Sequence, residues 1–91
     1  MKKCMNAGAI TNRLKRIEGQ IRGIIRMIDD DKPCEDILIQ ISSVKSALHK
    51  TGQTLLEGHL HNCVLEGIHN GDEEETMQKL FSAIEQFSRI I

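Results

Sequence analysis

Three residues in this chain have the types and spacing to hold a soft metal ion: Cys34, His59 and Cys63. His59 and Cys63 are four positions apart, which on a helix stacks a ring nitrogen and a sulfur on one face about one turn from each other, with His61 turned roughly to the opposite side. Cys34 precedes His59 by about 37 Å of continuous helix at the usual rise per residue, so it does not reach the same ion within its own chain. An antiparallel copy of the helix from a second protomer would bring its Cys34 beside His59 and Cys63, and a two-fold dimer would then carry two such sites. Two thiolates and one imidazole form a soft set of low coordination number, which suits Cu(I). Zinc asks for a fourth ligand, which Cys4 in the N-terminal arm is placed to give and His61 is not. A single cysteine or histidine is more often an inert side chain; the combination is what points to a metal.

Helices are needed to position these groups. Ile37, Ile41, Val44, Leu48 and Leu55 recur at the period of a buried helical stripe, so the spacing predicts one long helix over about 33–70. Asp31 is the expected N-cap and Pro33 suits the first turn, which sets Cys34 at the positive end of the helix dipole, where an anionic sulfur is favoured. Gly52 and Gly58 each cost up to about 1 kcal/mol relative to alanine and mark where a bend near His59 is expected. Upstream, Ile10, Leu14, Ile17, Ile21, Ile24 and Ile28 alternate spacings of four and three, predicting a first helix over about 10–29 behind a flexible arm of residues 1–9. Downstream, Gly71 suits a left-handed C-cap, and Asp72 and Glu75 stand at the N-cap and capping-box positions of a third helix over about 73–90. Met77, Leu80, Phe81, Ile84, Phe87 and Ile91 give that helix one apolar face. The expected fold is all-α, a three-helix protomer in a single domain over 1–91.

Ninety-one residues with only two aromatics bury a thin core unless helices find partners in other copies, so an oligomer is expected. No apolar run approaches the roughly 18–20 residues of a membrane span, and no apolar leader core precedes Arg13; a cytoplasmic protein with no membrane partner follows as an expectation. Three cysteines in a reducing compartment point to metal or redox chemistry rather than to a disulfide framework. The net charge of -1 conceals an asymmetry: residues 1–28 carry seven lysines and arginines against the single acid Glu18, while acids cluster at Asp29–Asp31 and Asp72–Glu75. A solvated helix face is the plainer reading of the basic stretch, but its one-sidedness favours a polyanion bound through phosphates, with Lys45, His49 and Lys50 extending the patch. Neither helix-turn-helix, zinc-finger nor aromatic RNA-binding patterns occur, so DNA binding would use a mode other than these. A Ser/His/Asp set, paired carboxylates and a phosphate-cradling glycine loop are also absent from the sequence, so catalysis is not expected.

The blocks RLKRIEGQIRGIIRMI, PCEDILIQISSVKSAL and LLEGHLHNCV resemble the signature blocks of the copper-sensitive operon repressor family, the CsoR/RcnR group of small helical metal-responsive repressors, over about residues 10–70. The resemblance implies a dimer built on an antiparallel four-helix bundle, and a dimer of dimers, or homotetramer, that binds double-stranded operator DNA and releases it when an inducer binds. It places the copper members' ligands on Cys34 of one protomer and on His59 and Cys63 of the other. The basic DNA contacts fall near Arg13 and at His49 or Lys50, making Arg13, Lys15, Arg16, His49 and Lys50 the candidate DNA-binding set. Two positions depart from the copper pattern: Pro33 stands where a tyrosine is usual, and Lys79 where a third-helix glutamate is expected, with Glu75 the nearest acid. Nickel and cobalt members carry histidine at the positions of Lys2 and Cys63, and persulfide-sensing members keep both cysteines but lack the histidine. The expected function is therefore a Cu(I)-responsive repressor. Two alternatives stand beside it. One is a persulfide or thiol-redox sensor in which Cys34 attacks and the partner subunit's Cys63 resolves. The other is a metal-buffering or structural bundle with no DNA role, against which the basic first helix counts.

Overall fold

The computed structural model describes residues 5–61, 67 and 69–89, and among them there are three α-helices and no strand. Helix α1 spans Ala7–Asp29, α2 spans Cys34–His59 and α3 spans Glu73–Ser88. None is long and apolar enough to cross a membrane. Helix α1 begins three residues before the expected start at Ile10, because Ala7 and Ala9 are the strongest helix formers and extend the first turn into the expected arm.

The first turn between helices corrects the expected capping. Asp31 does not cap α2; it adopts a left-handed conformation, φ 58°, and closes α1 instead. Its N–H donates to the Ile28 carbonyl at 3.1 Å and the Lys32 N–H donates to the Met27 carbonyl at 3.0 Å, the pair of bonds of a Schellman stop. Glycine is the usual residue there, but a short polar side chain tolerates the conformation better than most. The cap of α2 falls to Pro33, whose carbonyl accepts from the N–H of Asp36 at 3.1 Å and of Ile37 at 3.2 Å.

Residues Ala7–Thr54 form one compact unit, a hairpin of α1 against α2. Its buried apolar residues are Ile10, Ile17 and Val44. Thr51 is buried with them, its hydroxyl donating to the Ala47 carbonyl at 2.8 Å, so no polar group is left wanting. Of the other predicted stripe positions Ile24 and Ile37 are half-buried, and several lie open, joined on α2 by Leu38 from outside the predicted stripe. On α1, Leu14, Ile21, Ile25 and Ile28 are 44–59% exposed; on α2, Leu38, Ile41 and Leu48 are 45–64% exposed. Each set falls within one quarter of its helix's circumference, so each is a continuous apolar seam. Covering such half-exposed side chains contributes roughly 1 kcal/mol each, a sum comparable with the cost of associating two chains.

From Leu55 onward a second unit is described by itself. After His59 the helix widens into an i→i+5 turn at Leu60 and His61, a form that often marks functional positions. Where one helix to residue 70 is expected, α2 is bounded at His59; Gly67 and His69 are helical, and residues 62–66 and 68 lie outside the described set. Gly71, at φ 83°, supplies the left-handed stop, and the Asp72 N–H donates to the Gly67 carbonyl at 3.0 Å. Asp72 occupies the N-cap of α3, but its carboxylate makes no capping bond; its carbonyl accepts from the Thr76 N–H at 2.9 Å. Nor does Glu75 close a capping box, since its carboxylate turns along the helix to Lys79, 3.0 Å away. On α3 Leu80 is buried, whereas Phe81 points out at 61% exposure.

Gly67 stands so close to Thr76 that a side chain there has no room: an added Cβ would overlap the Thr76 hydroxyl and lie 3.1 Å from its methyl carbon. Gly67→Ala is expected to destabilise the protein by about 1–3 kcal/mol. Thr76→Ala in the same chain should recover part of that loss, which a double-mutant cycle in urea would read as a coupling between the two sites.

Candidate metal centre and basic groove

Cys34 is the first residue of α2, a free and exposed thiol, flanked by the first-turn acids Glu35 and Asp36. His59 is the last residue of the same helix and is half-buried. The two candidate ligands are thus the first and last residues of one helix of 26 residues. Among the described residues no three His, Cys, Asp or Glu side chains come together to hold a metal. Cys63, and with it the shared face expected of His59 and Cys63, lies outside the described residues, as does Cys4. The chemistry of the donor set fits a soft monovalent ion: a thiol free of any disulfide and an imidazole at a helix terminus. Near the position where a third-helix glutamate is expected, the acid and the base neutralise each other, Lys79 pairing with Glu75 on the exposed side of α3.

Within the first unit, α1 and α2 enclose a groove of about 510 Å³ that draws together part of the candidate DNA-binding set. Arg13, Arg16 and Lys50 line it, with Ile17, Ala47 and Thr51 among its other lining residues. Lys15 and His49 are exposed on α1 and α2 and are not part of the lining. No carboxylate lines the groove, and no ion pair between described residues engages Arg13, Arg16 or Lys50. Elsewhere the pattern is the reverse: Arg22, Lys79 and Arg89 each pair with a glutamate one turn earlier. The groove is therefore a concentrated positive surface with no carboxylate among its lining residues.

Charge patterning alone does not single out the groove's uncharged polar residues, Gln20, Ser42, Ser43 and Ser46. Spacing is the signal that finds them. Arg13, Arg16 and Gln20 step by three and four on α1, and Ser42, Ser46 and Lys50 step by four on α2, so each trio is a line along one helix face.

Comparison with known proteins places this geometry. Residues 6–90 match the family described as metal-sensitive transcriptional repressor. The copper-sensing transcriptional repressor CsoR of Bacillus subtilis is 48% identical over 80 residues, covering 88% of this chain and 79% of that one. Among solved structures, the copper-sensing repressor CsoR with Cu(I) from Geobacillus thermodenitrificans is similar at a TM-score of 0.88 and 43% identity, over 91% of this chain and 86% of the other. The nickel-responsive transcriptional regulator InrS is similar at a TM-score of 0.77 and 34% identity, over 88% and 90% of the two chains. A hairpin with an open apolar seam, a thiol and an imidazole at the two ends of its second helix, and a match along nearly the whole length lead to one conclusion: the chain belongs to the metal-sensitive transcriptional repressors, the CsoR/RcnR family.

Proposed function

We propose that the protein is a Cu(I)-responsive transcriptional repressor, a cytoplasmic regulator rather than an enzyme, that binds double-stranded operator DNA and lets it go when Cu(I) binds. The observation that carries the reading is the placement of Cys34 and His59 at the two ends of α2, on a hairpin whose apolar seam is open. Two copies laid antiparallel along that seam cover Leu38, Ile41 and Leu48 and bring Cys34 of one protomer to the His59 end of the other. Cys34, His59 and Cys63 would then hold Cu(I) as two thiolates and one imidazole at each end of a homodimer, and two dimers would make the homotetramer. The Cu(I)-bound relative of similar fold supports copper over nickel or zinc, and the presence of His59 supports it over a purely sulfur-based inducer.

When bound, the ion supplies a link between two chains that are otherwise joined only by packing. The protein's own part is to hold the three donors in register and to couple that register to the DNA surface. Arg13, Lys15, Arg16, His49 and Lys50 supply that surface in this reading.

The exposure of Cys34 keeps a second reading in view, a persulfide sensor that needs only the two sulfurs. Titration of the reduced protein on its own promoter, with Cu(I), Ni(II), Zn(II) and a persulfide donor compared as releasing agents, separates them. Release by Cu(I) at one ion per protomer is expected. Release by persulfide alone would overturn the copper reading.

A further inference from the structure

The serine hydroxyls of the α1/α2 groove behave differently from the other hydroxyls on the same helix. Hydroxyls on helices commonly turn back to the carbonyl one turn earlier. Thr51 and Thr54 do so, donating to Ala47 at 2.8 Å and to Lys50 at 2.9 Å. Ser42, Ser43 and Ser46 have no such bond and no other partner among the described residues, although all three are exposed and line the groove. Facing them are two arginines and, further along α2, a lysine, equally without a side-chain partner among the described residues. The groove, of about 510 Å³, is lined along both helices over several turns, from Arg13 to Gln20 on α1 and from Ser42 to Thr51 on α2, a length that suits a stretch of sugar–phosphate backbone better than one free phosphate.

We infer that Ser42, Ser43 and Ser46 are the uncharged half of a backbone-phosphate slot whose charged half is Arg13, Arg16 and Lys50, so that each protomer takes a segment of the DNA backbone into the groove between α1 and α2. The inference rests on the DNA-binding reading above and adds to it the place of contact and a second kind of contact. The two halves have different tasks. The cations supply long-range attraction and displace counterions from the duplex; the hydroxyls donate short, directional bonds to phosphate oxygens and fix the register of the protein on the backbone. Gln20, at the α1 side of the groove, adds an amide donor of the same kind. Because phosphates are alike in every sequence, the slot sets affinity and not sequence preference.

Counterion release gives a test that separates hydroxyl from cation. The full-length protein with Ser42→Ala, Ser43→Ala and Ser46→Ala together is compared with Lys50→Ala on an operator duplex and a scrambled duplex, across a salt series. Alanine at exposed helix positions favours the helix, so the fold should be kept. The triple serine variant is expected to lose affinity by on the order of 10-fold or more on both duplexes, from three neutral hydrogen bonds, with an unchanged slope of log K against log salt. Lys50→Ala should flatten that slope by about 0.9 per phosphate contact. Ser46→Glu, which sets a carboxylate among the cations, should weaken binding more than Ser46→Ala while leaving the thermal midpoint and Cu(I) binding as they are. Unchanged affinity in the triple serine variant overturns the inference and leaves the repressor reading standing. So does an affinity loss accompanied by a flattened slope or by a lowered thermal midpoint, since the serines would then act through the basic side chains or through packing. Failure of the unmodified protein to bind either duplex sinks the repressor reading itself, and the slot with it.

Discussion

A His59→Ala chain is expected to bind operator DNA as the unmodified protein does and to stay bound when Cu(I) is added. His59 is the last residue of α2 and only half-buried, and alanine is the better helix former, so neither the hairpin nor its basic groove depends on the ring. The imidazole is one donor of three in the proposed site, and its loss leaves two sulfurs with no nitrogen. An effector that dissociates a repressor does so through a coupling free energy, typically about 1–3 kcal/mol, which appears as a 5- to 150-fold difference in operator affinity without and with the ion. In the variant that ratio should fall to near 1, read by fluorescence anisotropy at saturating Cu(I). A persulfide donor, needing only Cys34 and Cys63, would still release a His59→Ala chain if sulfur were the true inducer. The same variant therefore tells the two inducers apart.

The second large effect is expected on the DNA side. With Arg13→Ala, Arg16→Ala and Lys50→Ala combined, operator affinity should drop by at least about 100-fold at 0.15 M salt, and the salt slope should flatten by about 2.7 per protomer if each cation meets one phosphate. The effect is large because the three charges have no carboxylate partner among the described residues, so no such pair compensates for them before DNA arrives. For the same reason their removal strands no buried acid, and the fold should keep its stability. Lys15→Ala is the internal control: exposed on α1 but not in the groove, it should cost less than any of the three. Equal losses for Lys15 and Arg13 would move the DNA surface off the groove and onto the outer face of α1.

How far the sequence alone reaches can be seen residue by residue. The period of Ile10 to Ile28 and of Ile37 to Leu55 was enough to read two long helices, because burial on one face imposes that period whatever covers it. The same pattern is silent on what does the covering. Ile17 and Val44 are buried within the hairpin, while Ile21 and Ile41, equivalent in the pattern, lie open. Capping was the least legible feature. Asp31, Asp72 and Glu75 all have the composition of caps, yet Asp31 ends α1 through a left-handed backbone and Glu75 prefers the charge of Lys79 to a backbone N–H. Local propensity ranks such options within a few tenths of a kcal/mol, and a neighbouring charge or turn decides among them. For the candidate site, the positions of Cys34 and His59 at the two ends of α2 were legible from spacing, and Cys63 lies outside the described residues. The groove was only half so: basic residues announce themselves by charge, and serines do not, because a helix offers a serine hydroxyl its own backbone as a partner.

The central claim is that the copper site exists only between two chains, and mixing two inactive chains tests it most directly. Cys34→Ala and His59→Ala chains, each with a different affinity tag, are co-refolded, and the mixed dimer is isolated through both tags. Its Cu(I) stoichiometry and affinity are then measured by competition with a Cu(I) chelator. Neither parent dimer should hold a tight ion. The mixed dimer should hold one, because one interface pairs an intact Cys34 from the second chain with the intact His59 and Cys63 of the first. A mixed dimer with no tight site, like its parents, would contradict the shared site and with it the role assigned to α2.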